Sequence, residues 1–213
     1  MPALPSLSFA AFGRDGVRVA PVGLQAGLLA SRWMELVSAT DHPLVVSAGV
    51  CGGLDPALRA GDLVLPEIVI NEAGLRLPVT GIGARRAASG GGATARAGWL
   101  ATTSRVVATP EAKAALRAAT GAVAVDMESA PILEAAAARG CASLVVRAVS
   151  DHADEALPEE LVRLMGADGR LRRGRALALA LGHPRLLGRA LQLRRSTRRA
   201  LDSVAASLAR LAA

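Results

Sequence analysis

Apolar runs of strand length alternate along the first three quarters of the chain with segments of helical apolar spacing. This alternation predicts an α/β fold, with a sheet flanked by helices. Predicted strands lie at 17–22, 43–50, 63–70, 75–79, 122–125 and 143–150, and predicted helices at 24–37, 110–120 and 129–139. Glycine-containing segments at 61–62, 71–74 and 89–92 predict turns or loops between them.

Start and stop signals are clearest in the second half of the chain. Thr109 is a predicted N-cap with Pro110 at the first helical position, and Gly121 is the predicted end of that helix. Ser129 is a predicted N-cap for the Ala-rich helix that follows it. Glu128 is therefore expected at the joint between a strand and a helix.

Two acidic residues follow predicted strands in this region, Glu128 after 122–125 and Asp151 after 143–150. A right-handed crossover through the intervening helix makes the two strands parallel, so both carboxyl groups are expected at the same edge of the sheet. For neighbouring or next-neighbouring strands, a spacing of ~4.8 Å places the carboxyl groups about 5 to 10 Å apart. That separation suits one small molecule held between them.

Paired carboxyl groups suit cleavage of a glycosidic bond. One carboxylate stabilises the sugar cation while a carboxylic acid protonates the leaving group. The acid must keep its proton near neutrality, against an ordinary pKa of ~3.9 for Asp, and burial or a second carboxylate raises the pKa. The alternative is structural: Glu128 caps the following helix, and Asp151 pairs with Arg147.

Composition narrows the class of protein. The chain has 213 residues, 52% hydrophobic and only 2% aromatic, which predicts one domain with an aliphatic core. No apolar run reaches the ~20 residues of a spanning helix, and the N-terminus lacks a signal-peptide pattern, so we expect a cytoplasmic protein. Cys51 and Cys141 have no metal-ligand spacing, so we expect reduced cysteines and no metal site.

Charge is concentrated at the C-terminal end. Residues 1–162 hold 13 basic and 16 acidic residues, whereas 163–213 hold 12 basic and 2 acidic. Residues 182–213 predict an Arg-rich amphipathic helical tail beyond a main domain at 1–181. One interpretation packs this helix on the body, and the other lays it on an anionic membrane at the inner face. Nucleic-acid binding is disfavoured, because aromatic residues and recognised motifs are lacking.

Three segments carry a resemblance to a known family: SAGVCGGLDPALRAGDLVLP (47–66), AVDMESAPILEAAA (124–137) and VVRAVSDHAD (145–154). In order and spacing they resemble the signature regions of the purine nucleoside phosphorylase and nucleosidase superfamily. The resemblance implies a three-layer α/β sandwich with a mixed central sheet. It also implies a nucleoside substrate, no cofactor, inorganic phosphate as a candidate co-substrate, and a homo-oligomer, most simply a dimer.

The resemblance also implies roles for single residues. Asp151 donates a proton toward N7 of the purine, with Ser150 and Arg147 orienting it. Met127 packs under the ribose, and Glu128 binds the ribose 2′ and 3′ hydroxyls and stabilises the sugar cation.

Other positions implied by the resemblance form the wall of the site. Val50, Cys51 and Gly52 lie near sugar and base. Val107 stands where family members often carry an aromatic residue against the base.

Within the superfamily the chain is similar to the hopanoid-associated phosphorylase group, which implies adenosylhopane or another 5′-substituted adenosine as substrate. The methylthioadenosine and S-adenosylhomocysteine nucleosidases are the alternative within the family, and an inactive nucleoside- or membrane-binding homologue is the alternative outside enzymes. The chain departs from the family in its first strand, which is shortened or missing. Neither a base for hydrolysis nor a phosphate site can therefore be named, and the nucleophile stays open.

Overall fold

The computed structural model describes residues 43–82, 88, 95–158 and 184–211. The predicted elements at 17–22 and 24–37, the altered first strand and the loop at 89–92 lie outside these ranges. In chain order the described elements are β1 (Val45–Gly53), β2 (Leu63–Val64), β3 (Ile68–Ile70), β4 (Arg76–Pro78), β5 (Ala95–Arg96), β6 (Trp99–Thr102), α1 (Pro110–Thr120), β7 (Ala124–Asp126), α2 (Ser129–Ala137), β8 (Ser143–Asp151) and α3 (Pro184–Leu211).

The described strands form one mixed sheet of eight strands in the order β4-β3-β6-β7-β1-β8-β2-β5. β1 runs parallel to β8, and β3, β6 and β7 run parallel to one another. β1 and β7 are antiparallel, as are β2 and β8. All nine residues of β8 are buried, so this strand lies at the centre of the fold. The predicted α/β class with a mixed central sheet is confirmed.

The expected relation between the strands that precede Glu128 and Asp151 is wrong. β1 lies between β7 and β8, parallel to β8 and antiparallel to β7. The pairing register of β1 shifts between Cys51 and Gly52. Gly52 then pairs with Asp151 on one side and Val125 on the other. The two carboxyl groups are brought to one region by this shared central strand and not by a parallel β7–β8 pair.

The predicted strand at 63–70 is divided at Pro66. Proline has no N–H and cannot donate to a ladder, so it interrupts pairing within a sheet. β2 precedes it and pairs with β5 and β8, whereas β3 follows it and pairs with β4 and β6. Strands β5 and β6 themselves had no sequence prediction. The turn predicted at 71–74 is confirmed, with Gly74 at φ 78°.

The predicted capping of α1 is confirmed, whereas that of α2 is wrong. The Thr109 hydroxyl accepts from Ala112 N at 3.2 Å, and Gly121 ends α1 at φ 71°. Glu128, without a side-chain capping bond, is the N-cap of α2. Ser129 is the first residue of this helix, and its hydroxyl bonds elsewhere.

Helix α3 packs on the sheet through its second half. Ala200 and Val204 belong to the main hydrophobic core, together with residues of β2 and β8. The Ser207 hydroxyl donates to Ala88 O at 2.9 Å. Toward the start of the helix the arginines at 189, 194, 195, 198 and 199 are exposed. Within the described ranges, no helix has the length and apolar character needed to cross a bilayer.

Candidate functional site

The site is built around Gly49 and Gly52, two glycines of β1. Gly49 pairs with Arg147 of β8, and a Cβ on Gly49 would clash with Nη1 of Arg147. The absence of a side chain at Gly49 lets the guanidinium group lie across β1. Arg147, buried to 4% exposure, can in this way reach groups beyond its own strand.

The Arg147 guanidinium binds four side chains. Its closest partner is Asp126, with Nη2 at 2.7 Å from Oδ2, and Nη1 lies 3.5 Å from Oε2 of Glu128. Nη2 also donates to the hydroxyls of Ser47 at 2.9 Å and Ser129 at 3.1 Å. This explains why Ser129 does not cap α2, because its hydroxyl oxygen is used as an acceptor for Arg147.

Both carboxylate oxygens of Asp126 bind groups of the protein itself. Its Oδ1 accepts from Thr102 Oγ1 at 2.7 Å, and its Oδ2 accepts from Ser129 N at 3.2 Å as well as from Arg147. The Thr102 hydroxyl in turn accepts from Ala130 N at 3.1 Å. Asp126 and Thr102 thus satisfy N–H groups in the first turn of α2, whereas the sequence predicts Ser129 for that role.

Glu128 differs from Asp126 in having a weaker pairing and some access to solvent. Its side chain is 15% exposed, and its contact with Arg147 is the longer of the two. Burial raises the pKa of Glu128, and the Asp126 carboxylate raises it further, while the Arg147 guanidinium acts in the opposite direction. Glu128 is therefore the acidic group on this side of β1 with capacity to bind a ligand.

Asp151 lies at the other end of the site, 5% exposed. Ser150 donates from Oγ to Oδ1 of Asp151 at 2.7 Å and also lies 3.1 Å from Cys51 O. A Cβ on Gly52 would come within 3.1 Å of Asp151 Oδ2 and 3.3 Å of Val125 Cγ1. A glycine at position 52 gives the carboxyl group its space next to β1.

The cation that binds Asp151 is Lys113 of α1, which the sequence reading missed. Its Nζ lies 2.7 Å from Asp151 Oδ2, and its side chain is 1% exposed. A signal for it does exist in the sequence, because Lys113 is the one lysine of a chain whose other 24 basic residues are arginine. Spacing alone could not connect it with Asp151, 38 residues away.

The expectation that Arg147 orients Asp151 does not match these contacts. Arg147 points across Gly49 to Asp126 and Glu128, because it lies four residues before the strand end. Ser150 does contact Asp151, as expected. The structural alternative, in which Asp151 pairs with Arg147, is also wrong, since the ion pair of Asp151 is with Lys113.

The predicted wall residues lie in different surroundings. Val50 and Met127 are half-buried, and Val50 packs against the main core. Cys51 is buried, which raises the pKa of its thiol above its ordinary range. Val107 packs with Leu54 and its neighbours in a second, smaller cluster.

A cleft of about 1040 Å³ opens beside the turn after β8. Leu54, Pro110, Arg117 and His152 are among its lining residues, which include neither Asp151 nor Glu128. His152 is half-buried in the loop beyond β8, as its position one step past the strand predicted. Within the described part of the chain, no group of three His, Cys, Asp or Glu side chains could hold a metal ion.

Comparison with known proteins agrees with this architecture. The family model of the phosphorylase superfamily matches residues 26–181. Futalosine hydrolase of Streptomyces coelicolor is 37% identical over an alignment of 155 positions that covers 61% of this chain and 65% of that protein. The chain thus matches somewhat less than two thirds of the length of this curated relative.

Solved structures of low identity share the fold. The 5′-methylthioadenosine/S-adenosylhomocysteine nucleosidase of Neisseria meningitidis superposes with a TM-score of 0.67 at 22% identity, covering 98% of this chain and 90% of that one. Futalosine hydrolase of Helicobacter pylori gives 0.66 at 15% identity, covering 97% and 87%. Because the family model covers well over half of the sequence, and the fold agrees, this chain belongs to the phosphorylase superfamily.

Proposed function

We propose that this protein cleaves the N-glycosidic bond of a purine nucleoside. The observation that carries the proposal is the pair of acids around β1: Asp151 is bound by the buried Lys113, and Glu128 is bound by the buried Arg147, which it shares with Asp126. Cleavage of such a bond develops positive charge on the sugar and negative charge on the base. One acid can serve each end of the breaking bond.

Asp151 is the proposed catalytic acid. Ser150 Oγ lies 2.7 Å from its Oδ1, and Gly52 leaves space beside its Oδ2. Its proton passes to the purine, with N7 as the acceptor that the family resemblance implies. Protonation makes the base a better leaving group, and general acid catalysis of this kind contributes typically 10²- to 10⁴-fold.

Glu128 is the proposed sugar anchor. Arg147 holds its carboxyl group from one side at 3.5 Å, which leaves oxygen lone pairs for ribose hydroxyls. A carboxylate in a partly buried position interacts more strongly with a sugar cation than one in water. Met127 under the ribose, and Val50, Cys51, Gly52 and Val107 as wall residues, complete the proposed binding site.

The relatives support the reaction class. The nucleosidase of Neisseria meningitidis and the futalosine hydrolase of Helicobacter pylori share the fold. The futalosine hydrolase of Streptomyces coelicolor has the higher sequence identity, 37%. We propose a 5′-substituted adenosine as substrate, such as adenosylhopane, which rests on the family resemblance. Futalosine is the second candidate, favoured by the 37% identity. Methylthioadenosine and S-adenosylhomocysteine are the third, favoured by the fold likeness.

The test measures release of free purine base by the purified protein. Each candidate nucleoside is incubated with and without phosphate, and detection of ribose or ribose 1-phosphate product identifies water or phosphate as nucleophile. We expect Asp151→Asn to lower kcat by about 10³-fold, because the general acid is lost. The matched control is Asp202→Asn, which removes an exposed carboxylate from α3.

Two outcomes would contradict the proposal. Equal turnover by the Asp151→Asn variant and the unaltered protein would remove the acid from the mechanism. Failure of the unaltered protein to release base from any of these nucleosides, with retained nucleoside binding, would favour the inactive homologue.

A second, separate proposal concerns α3. Its exposed arginines carry the positive charge that an anionic membrane attracts, at about 1 kcal/mol for each basic residue near the headgroups. We propose that the protein is cytoplasmic with peripheral contact to such a surface through the first half of α3.

A further inference from the structure

We propose that Lys113 is a positioning residue for the reaction, which anchors Oδ2 of Asp151 and leaves Oδ1 as the oxygen that carries the transferred proton. The inference rests on the proposed function, because it assigns atoms within the same acid. It adds a residue from α1 that lies far along the chain from Asp151, 38 residues away.

The surroundings of Lys113 account for every hydrogen of its ammonium group. Nζ donates to Asp151 Oδ2 at 2.7 Å, to His152 O at 2.5 Å and to Glu155 O at 3.0 Å. The residue is fully buried, at 0% exposure. Taking an ammonium group out of water costs several kcal/mol unless it is fully paired. With three acceptors for three hydrogens, Lys113 has no hydrogen left to bind substrate, and it therefore acts through Asp151.

Arginine could not make the same set of bonds. A tetrahedral ammonium directs three hydrogens from a single nitrogen to acceptors in different directions, whereas a guanidinium is planar and larger. The three acceptors of Lys113 are a side chain and two carbonyls within residues 151–155. This requirement gives a physical reason for the single lysine of an arginine-rich chain.

The two oxygens of Asp151 are held by donors of different kinds. Ser150 has one hydroxyl hydrogen and two acceptors in reach, Asp151 Oδ1 at 2.7 Å and Cys51 O at 3.1 Å. By turning its hydrogen to Cys51 O, Ser150 frees Oδ1 to carry a proton. Lys113 donates one hydrogen to Oδ2 and its other two to carbonyl oxygens, so it has no other acceptor to which the first hydrogen could turn. Oδ1 is therefore the exchangeable oxygen and Oδ2 the fixed one.

In the transfer step, the O–H bond at Oδ1 breaks and an N–H bond forms at N7 of the purine. The electron pair of the glycosidic bond passes to the base, and the sugar cation is captured by the nucleophile. Asp151 is left as a carboxylate beside the Lys113 ammonium, and the Ser150 hydrogen returns to Oδ1. The nucleophile, water or hydrogen phosphate, loses a proton as its oxygen bonds to the sugar, and this proton returns through solvent to Asp151 and restores the acid for the next turnover. Because the stabilisation by Lys113 grows as the charge forms on Asp151, it acts on kcat more than on KM.

The experiment compares two substrates that differ in their need for an acid. The nucleoside is the one that the unaltered protein cleaves fastest among adenosylhopane, futalosine, methylthioadenosine and S-adenosylhomocysteine. Its purine needs protonation to leave, whereas the nitrophenolate of 4-nitrophenyl β-D-ribofuranoside leaves without it. We expect Lys113→Met to lower kcat on the nucleoside by about 10²-fold, the size typical for loss of one electrostatic donor. On the nitrophenyl riboside we expect its kcat to stay within about threefold of the unaltered protein, since the acid is not needed there.

Three further variants make the comparison decisive. Lys113→Gln retains an N–H donor for the two carbonyls, so it keeps the measurement possible where the Met variant does not fold. Glu128→Gln should lower kcat on both substrates, because both pass through the sugar cation. Arg76→Met, which removes an exposed cation of β4 that lies over the Trp99 ring of β6, should change neither.

A merely structural role for Lys113 predicts an equal fall on both substrates in folded variants, and that result would overturn the inference. Unchanged turnover of the nucleoside would overturn it as well. Should the unaltered protein release neither purine nor nitrophenol, the proposed function itself fails, and this outcome is distinct from the other two.

Discussion

At the scale of single residues, the site depends on two glycines, which have no side chain to block their neighbours. Gly49 lets Arg147 cross β1, and Gly52 gives Asp151 its space between two strands. Buried charges are stable only when they are closely paired, so the path of Arg147 to its acids has to be open. The two glycines therefore contribute to function although they offer no functional group.

Gly49→Ala tests this dependence. The added Cβ would occupy the position of the Arg147 guanidinium, which must then move away from Glu128 and Asp126. We expect a loss of stability of about 1 to 3 kcal/mol, typical for overpacking. If Glu128 anchors the ribose as proposed, KM for the nucleoside should rise as well. Urea denaturation and steady-state kinetics measure the two effects.

The matched control is Gly188→Ala in α3, where an added Cβ meets no atom within 4 Å. Alanine in place of a helical glycine is expected to stabilise the protein slightly. A Gly49→Ala protein with the stability and KM of the unaltered protein would show that Arg147 does not need to lie over Gly49.

The raised pKa of Glu128 makes a prediction about pH. Its pKa rises from the ordinary value of 4.5, chiefly because of burial. The folded state then binds the proton more tightly than the unfolded state, so the protein loses stability as pH rises from 4.5 through the raised value. Glu128→Gln has no such ionisation. Relative to the unaltered protein, this variant should therefore be more stable at pH 7 than at pH 4.

Urea denaturation at a series of pH values measures this difference, with Glu134→Gln as the control. Glu134 is an exposed residue of α2 that accepts a hydrogen bond from Asn71 at 3.0 Å. A stability difference between Glu128→Gln and the unaltered protein that is constant with pH would contradict the effect of burial on Glu128.

At the scale of elements, strand β1 decides which groups meet. It pairs with β8 in the parallel sense as far as Gly52, and with β7 in the antiparallel sense at Gly52 and Gly53. Because β7 runs antiparallel to β1, the carboxyl end of β7 lies toward Arg147. This geometry allows Glu128 to form an ion pair with Arg147, while Asp151 forms its ion pair with Lys113.

The helices fix the remaining groups through their first turns. In α1, Thr109 caps the N-terminus, and Lys113 N donates to Thr109 O at 3.0 Å, which sets the position of the lysine. In α2, Thr102 and Asp126 satisfy the first N–H groups. The hydroxyl of Ser129 is thereby left for Arg147, so capping and charge pairing belong to one network.

At the scale of the whole molecule, α3 combines a packed half with a charged half. Ala200 and Val204 are core residues, so deletion of the tail would expose the core of the sheet. A test of membrane contact therefore has to use substitutions. Arg194, Arg195 and Arg198 are exposed, and Leu191, at helical spacing from them, is 44% exposed.

We expect the intact protein to sediment with phosphatidylglycerol vesicles and not with phosphatidylcholine vesicles. Replacing Arg194, Arg195 and Arg198 together with Gln should lower the partition coefficient on the order of 10²-fold, at about 1 kcal/mol per arginine. The matched control replaces three exposed arginines of the body, Arg76, Arg96 and Arg105. An equal loss in both triple variants would contradict a specific role for α3.

The sequence by itself determined the local features of this protein. Turn glycines, the Thr109 cap and the period of apolar residues depend on neighbours in the chain, and the three signature segments were sufficient for the family. Assembly into a homo-oligomer and the boundary of the tail stay predictions. Local patterns in the sequence did not predict which distant residues form hydrogen bonds or ion pairs.

Tertiary structure alone decided how the charges are paired. The sequence predicted a contact between Arg147 and Asp151, which lie four residues apart. In the structure, Gly49 on the neighbouring strand leaves room for the Arg147 side chain to cross β1, so Arg147 does not contact Asp151. The partner of Asp151 comes from a helix 38 residues earlier. A buried charge selects its partner by distance and geometry in space, and a pattern along the chain does not contain that distance.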